Sequence, residues 1–129
     1  MSHKSRLSTV VIDCHTHLDQ AARFWSAALQ RKIVSHDQDG DGLYGELESG
    51  PGEVFVLLQR VTHEARVHLD IQADDQDAEV ARLEALGAKK VAFKKRWWVL
   101  EAPTGHRFCV VRQQSEKPQL APNTWGRRA

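Results

Sequence analysis

The chain has 129 residues, of which 41% are hydrophobic and 27% are charged, the composition of an ordinary globular domain that can bury its own core. This length excludes an eight-stranded α/β barrel, which needs roughly 200 residues or more. The 18 Lys and Arg residues nearly balance the 17 Asp and Glu residues, so the net charge of +1 gives no attraction to nucleic acid.

The first predicted strand is an apolar stretch at residues 10–14, which is too short for a signal peptide or a membrane span. It ends in Cys14, and the second cysteine, Cys109, lies in another apolar run at residues 108–111. Two thiols inside predicted strands indicate small buried side chains rather than a disulfide framework. We therefore expect a cytoplasmic protein.

An internal repeat organises the rest of the chain. Residues 10–29 align without gaps on residues 67–86 at a constant offset of 57, so that Asp13 matches Asp70. Each copy begins as an alternating strand and continues through a polar turn into a helix. The two halves therefore follow one plan.

The second predicted helix has a regular apolar spacing. Val80, Leu83 and Leu86 recur at helical intervals, and Gly87 follows as a stop signal. The spacing predicts a helix that ends at Gly87.

Three further strands are predicted after each helix. The first two of each half lie at residues 33–36, 43–48, 90–93 and 97–101. The closing strands, within residues 50–60 and 103–113, align at an offset of 53 that matches Phe55 with Phe108. Each half is therefore predicted as β-α-β-β-β, at about residues 8–61 and 65–113 of a domain spanning 1–114, with a polar tail at 115–129.

Several short segments occur in a recognisable order. They are Phe24-Trp25, LLQRV at 57–61, VHLDI at 67–71, ARLEALGA at 81–88, and FCVV at 108–111 after Pro103-x-Gly105. Together they resemble the vicinal oxygen chelate superfamily of glyoxalase I, bleomycin-resistance proteins and extradiol dioxygenases, and most closely its small glyoxalase-like branch. The resemblance implies an α+β fold in which two βαβββ repeats form cupped mixed sheets around a central pocket. It also implies helices on the outer face and often a homodimer.

The resemblance implies metal ligands on the first and last strand of each half. Carried over residue by residue, these positions are Val11, Val56, His68 and Cys109. Valine has no lone pair to donate, and a catalytic metal normally takes three protein ligands. We therefore predict no metal and no other cofactor, which disfavours metal-dependent glyoxalase I or dioxygenase activity.

Strand alternation directs further side chains into the same space. They are Asp13, Asp70, Arg107 and one of Trp97 and Trp98. His68 and Asp70 are the candidate catalytic pair, because an imidazole beside a carboxylate can transfer protons near neutral pH. The candidate ligand-binding residues are Val11, Asp13, Val56, Trp97, Trp98, Arg107 and Cys109.

Two motifs have alternative interpretations. DQDGDGLYGELE at residues 37–48 spells most of an EF-hand loop, but Gly-Pro-Gly at 50–52 cannot continue the helix that must follow. We predict a hairpin there and leave weak calcium binding open.

The segment KKRWWVL at 94–100 combines basic and aromatic residues, as surfaces that bind single-stranded nucleic acid do. We interpret it as a turn followed by a core strand.

The leading prediction is a glyoxalase-like protein that binds a small planar or aromatic molecule without a catalytic metal. The alternative is an enzyme of the same fold, of lyase, isomerase or dioxygenase type, that uses His68 with or without a divalent metal. The expected partners are a small molecule and a second copy of the chain, with neither nucleic acid nor membrane. The identity of the ligand, any reaction and the oligomeric state stay open.

Overall fold

The computed structural model describes residues 2–34, 42–113 and 121–126. Within them, nine strands form a mixed sheet accompanied by two helices, which is an α+β fold. The predicted order β-α-β-β-β occurs twice and is confirmed. The elements in chain order are β1 (His3–Cys14), α1 (Leu18–Leu29), β2 (Ile33–Val34), β3 (Tyr44–Leu47), β4 (Phe55–Arg60), β5 (Arg66–Ala73), α2 (Gln76–Ala85), β6 (Lys89–Lys94), β7 (Trp97–Glu101), β8 (Arg107–Arg112) and β9 (Asn123–Trp125). The first five residues of the EF-hand-like segment, 37–41, lie outside the described residues, and Tyr44–Leu47 in its second part form β3.

The chain divides into two compact units. The first unit is Thr9–His68, and the second unit combines Met1–Ser8 with Leu69–Ala129. Strands β1 and β5 each contribute residues to both units. Neither helix of the described chain is long and apolar enough to cross a membrane.

In the first unit the strand order is β2-β3-β4-β1, with β1 and β4 parallel and the other pairs antiparallel. Helix α1 presents Ala21 and Ala22 to this sheet, where they form a buried cluster with Cys14 and Leu58. These alanines are small enough for a close approach between the helix and the strands. The helix ends at Gln30, whose left-handed backbone (φ 54°) lets its N–H bond to the Ser26 carbonyl.

In the second unit the order is β5-β8-β7-β6, with β5 and β8 parallel. Helix α2 begins at the cap Asp75, whose carboxylate accepts a hydrogen bond from the Ala78 N–H at 3.0 Å. Its buried face carries Val80 and Leu83, which pack in a cluster with Leu100, Val110 and small neighbours. Burial of this apolar face is what holds the helix to the sheet.

Leu86 leaves the buried face of α2. It continues the spacing of Val80 and Leu83, but its side chain is 67% exposed. The chain leaves the helix there because Leu86 is the cap residue and Gly87 adopts φ 107°, a conformation that only glycine takes without strain. A Cβ on Gly87 would also lie 3.0 Å from the Pro103 ring.

The predicted polar tail contains a strand. Strand β9 pairs antiparallel with the start of β1, so that Trp125 lies opposite His3. The Trp125 indole donates to the Ser5 hydroxyl at 2.7 Å, and its ring lies 3.8 Å from the Arg82 guanidinium. These contacts hold the segment on the second unit.

A buried carboxylate lies at the centre of these contacts. Glu79 on α2 is 0% exposed, yet both of its oxygens accept hydrogen bonds from Arg82 at 2.8 Å. His3 and Ser5 on β1 lie 2.7 and 2.8 Å from the same two oxygens. The charge is therefore paired, as a buried charge must be.

These partners also set the acidity of Glu79. Burial by itself would raise the pKa of the carboxyl, but the hydrogen bonds from its three donors and the charge of Arg82 outweigh it. The pKa of Glu79 is therefore lowered from its ordinary value of 4.5. A lowered pKa stabilises the fold above pH 4.5, and this stabilisation is lost as the pH falls through the folded-state value.

We predict that Arg82→Met costs about 3 kcal/mol of unfolding free energy at neutral pH, because it leaves a buried carboxylate without its cation. The loss is expected to shrink as the pH falls below 4.5 and the carboxyl is protonated. Urea unfolding across a pH series measures both effects. Arg23→Met, at an exposed position of α1, is the control and should cost no more than about 0.5 kcal/mol. A loss equal to that of the control would contradict this account of the Glu79 site.

Candidate functional site

The strand register decides which side chains of the first unit lie on the face opposite α1. On β1, Ile12 and Cys14 pack against α1, so the alternate residues Val11 and Asp13 point to the other face. In the parallel pair β1–β4, Val11 is the partner of Leu57 and Asp13 the partner of Gln59. We call this surface the His68 face, because His68 binds Asp13 on it.

Asp13 and His68 form a hydrogen-bonded pair on the His68 face. The Asp13 Oδ2 atom accepts from His68 Nδ1 at 3.0 Å, and the Asp13 side chain is only 2% exposed. Arg66 Nε lies 3.9 Å from the same oxygen. Asp13 Oδ1 is buried and has no hydrogen-bond partner among the described residues. A buried carboxylate that orients an imidazole in this way fixes which ring nitrogen carries its proton.

Two residues beside this pair were not predicted from the sequence. Gln59 is the strand partner of Asp13, and its side-chain amide lies 3.5 Å from the Tyr44 hydroxyl. Tyr44 is in turn the partner of Gln59 in the β3–β4 pair. Only the register between strands brings them together, so no sequence motif marks them.

The register corrects the predicted orientation of Val56. Val56 is the partner of Val10 and not of Val11, and it shares a strand face with Leu58, which packs against α1. Because side chains alternate along a strand, Val56 points to the helix side, and Leu57 occupies the face opposite α1. The predicted match of Phe55 with Phe108 therefore joins residues of opposite faces, because Phe55 shares its face with Leu57 whereas Phe108 packs against the α2 core.

In the second unit the two tryptophans of β7 point to opposite faces. Trp98 is the partner of Val110 and packs against the core formed with α2. Trp97 therefore lies on the opposite face, where it is half-buried. This face, which we call the Trp97 face, carries five candidate side chains. They are Trp97, Val99, Cys109, Asp70 and Arg107.

The register groups the predicted residues on the Trp97 face. Cys109 lies between Val99 and Asp70 as the strand partner of both. Arg107 donates from Nε to a Glu101 carboxylate oxygen at 3.2 Å. Sequence and structure thus agree that Cys109, Asp70 and Arg107 share one face of their unit.

Neither cysteine forms a disulfide within the described residues, and both are buried. Burial, with the nearby negative charge of Asp13, raises the pKa of the Cys14 thiol. Its Sγ also lies 3.3 Å from the Ile12 carbonyl oxygen, to which the thiol donates. Cys14 is therefore a packing residue of the α1 core, since a raised pKa disfavours the reactive thiolate.

The metal ligand positions implied by the family resemblance do not fit a four-ligand site. Val11 and Val56 are buried valines without a donor atom. Strands β5 and β8 do carry three residues with ligand atoms of the kind that metals bind: His68, Asp70 and Cys109. Imidazole, carboxylate and thiolate are ligands that zinc accepts.

A concavity of about 240 Å³ lies at the start of α2, away from both faces. Its polar lining is already used by the fold. Asp75 caps the helix, Asp74 accepts from the Lys4 N–H at 2.8 Å, and Gln76 donates to the Val110 carbonyl at 3.1 Å. These hydrogen bonds give the lining a structural role.

Comparison with known proteins identifies the family. Residues 9–111 match the model of the glyoxalase-like domain. The chain belongs to this family. No curated protein sequence matches the chain.

Solved structures support the same assignment. A hypothetical protein from Bacillus halodurans C-125 matches with a TM-score of 0.64 at 13% identity, over 88% of this chain and 97% of its own. The Mn(II)-bound glyoxalase from Novosphingobium aromaticivorans matches with a TM-score of 0.55 at 19% identity, over 87% of this chain and 40% of its own. A variant of homoprotocatechuate 2,3-dioxygenase from B. fuscum matches with a TM-score of 0.59 at 15% identity, over 91% of this chain and 34% of its own. These neighbours confirm the vicinal oxygen chelate fold, and at such identities they show the fold alone.

The opposite orientations of the two tryptophans predict different costs of substitution. Trp98→Ala should cost about 3 kcal/mol of unfolding free energy because it leaves a cavity beside the α2 core. Trp97→Ala should cost only about 1 kcal/mol because that ring is outside this core. Urea unfolding of the two variants measures the difference, and each variant is the control for the other. Equal costs, or a larger cost at Trp97, would show that the assigned faces are reversed.

Proposed function

We propose that this glyoxalase-like protein binds a small planar or aromatic molecule on the Trp97 face, without a catalytic metal. The observation that carries the proposal is the half-buried Trp97, whose neighbour Trp98 takes up the core position that a packing role would require. A large flat ring beside apolar strand residues is a typical element of a small-molecule site.

The surroundings of Trp97 favour a flat ligand. Val99 follows two residues along β7, and Cys109 lies opposite Val99 on β8. Both are small side chains, so an aromatic ring can lie across them and stack against the indole. Arg107 and Asp70 supply polar groups at the border of this apolar strip, which can fix the orientation of a ligand.

The absence of a metal requirement is supported by the four positions at which the family resemblance implies metal ligands. Outside those positions, Asp70 offers a third donor in addition to His68 and Cys109, and the elemental analysis described below tests whether the three hold a metal. Two of the four positions implied by the resemblance are Val11 and Val56, and His68 already shares a hydrogen bond with Asp13. Binding through stacking and hydrogen bonds needs none of these ligands.

We predict that a thermal-shift screen of planar aromatic compounds will find ligands that stabilise the protein. A ligand at about 100 times its Kd stabilises a fold by roughly 2.7 kcal/mol, which is a measurable shift in Tm. Trp97→Ala should abolish the shift. The control is Phe24→Ala, which removes a 61% exposed ring on α1 and should leave the shift intact. A shift that survives Trp97→Ala, or a screen without any stabilising compound, would refute the proposed site.

A second candidate function is favoured by the Asp13–His68 pair. An imidazole oriented by a buried carboxylate is the arrangement that enzymes use for general acid–base catalysis. His68 would carry a proton to or from a substrate, and Asp13 would hold the ring and stabilise its charged form. Asp13 accepts a hydrogen bond from His68, a pairing that the sequence analysis did not single out. Under this alternative a bound compound is chemically converted, and His68→Gln or Asp13→Asn stops the conversion without preventing binding.

Metal content tests the remaining part of the proposal. Protein purified without an affinity tag or a chelator should contain much less than one equivalent of zinc, nickel, manganese or iron by elemental analysis. One equivalent of metal that disappears in His68→Ala would contradict the proposal and support a metal-dependent enzyme. His63→Ala, at an exposed loop position, is the matched control for loss of an imidazole.

A further inference from the structure

The charge of the ligand can be inferred from the residue opposite Trp97. In the β6–β7 hairpin, Lys94 is the strand partner of Trp97. Antiparallel partners project from the same face with Cβ atoms roughly 5 Å apart. An ammonium group on a flexible stem is therefore placed beside the indole ring, on the Trp97 face.

Lys94 is an exposed cation of the Trp97 face. It makes no ion pair or hydrogen bond through its side chain within the described part of the chain. Arg107 on the same face is paired with Glu101 at 3.2 Å. On the opposite face, Lys90 lies 4.9 Å from the Trp98 ring and 4.0 Å from Glu84.

The two acidic residues of the Trp97 face, Asp70 and Glu101, are remote from Lys94. Glu101 lies at the other end of β7 from Trp97 and is paired with Arg107. Asp70 lies on β5, three strands away from β6 in the order β5-β8-β7-β6. At the usual spacing between strands this is roughly 14 Å. An anionic group beside Lys94 is therefore attracted by the lysine with little repulsion from Asp70, while an aromatic ring attached to it reaches over Trp97 and Val99.

We propose that the ligand is a planar anion, such as an aromatic carboxylate, whose ring stacks on Trp97 and whose charge pairs with Lys94. This inference rests on the proposed function and adds the chemical class of the ligand. Lys94 is thus a specificity-determining residue that selects charged over neutral planar molecules. The anionic end of the ligand lies toward β6, and its apolar end lies toward β8.

The test compares two probes of nearly equal shape, benzoate and benzamide, by calorimetric or NMR titration of the full chain. The wild-type protein should bind benzoate about fivefold more tightly, which is the size of effect expected from one partly exposed ion pair. The preference should fall with added salt. Lys94→Gln should abolish the preference, so that benzoate and benzamide bind with about equal affinity. Lys94→Arg should restore the preference for benzoate.

The matched control is Lys90→Gln, which removes the same charge from the opposite face of the same strand and should keep the preference for benzoate.

Equal affinity of the wild-type protein for both probes overturns the inference. If Trp97→Ala then abolishes the binding of both probes, the proposed function still stands. A preference that is lost equally in Lys90→Gln and Lys94→Gln also overturns it, because it would reflect overall charge. If neither probe binds and the wider screen finds only neutral ligands, the anion is excluded and the Trp97 site is retained. If nothing binds at all, both proposals fail.

Discussion

The strict alternation of side chains along paired strands is the constraint on which the rest of this structure depends. In each half a parallel pair, β1–β4 or β5–β8, fixes which residues meet a helix and which lie on the opposite face. A shift of one residue would exchange these two sets completely. The core beneath α2 and the half-buried position of the Trp97 ring on the opposite face are therefore two consequences of one register.

Two buried carboxylates show how burial separates a structural group from a candidate functional one. Glu79 is fully buried, and its oxygens are satisfied by Arg82, His3 and Ser5, so its charge joins α2 to β1 and indirectly to β9. Asp13 is almost as deeply buried, yet within the described residues one of its oxygens has no donor. A buried polar atom without a partner costs free energy, and such a cost is commonly retained where a site requires it. The comparison supports a role for Asp13 beyond packing.

The family assignment and the chemistry of the site answer different questions. The glyoxalase-like model and the structural neighbours establish how the chain folds, but a shared fold accommodates many ligands and reactions. What distinguishes this chain is which side chains occupy the faces opposite the helices. The proposed recognition of an organic ligand rests on valine at two implied ligand positions and on an indole beside an exposed lysine, and the alternative of catalysis rests on the Asp13–His68 pair.

The sequence by itself determined the repeated βαβββ order and the family. For most candidate residues it also determined the strand face on which the side chain lies. These features depend on local apolar periodicity and on short segments in a fixed order. The sequence assigned Cys109 and Asp70 to one face correctly, since each lies on a regular strand. It failed at Val56, because the alignment that matched Phe55 with Phe108 joined residues of opposite faces. Only the tertiary structure decided that Trp98 rather than Trp97 packs against the α2 core, that Asp13 accepts a hydrogen bond from His68, and that Trp125 anchors β9. Each of these depends on contacts between residues distant in sequence, and local patterns carry no information about register across strands.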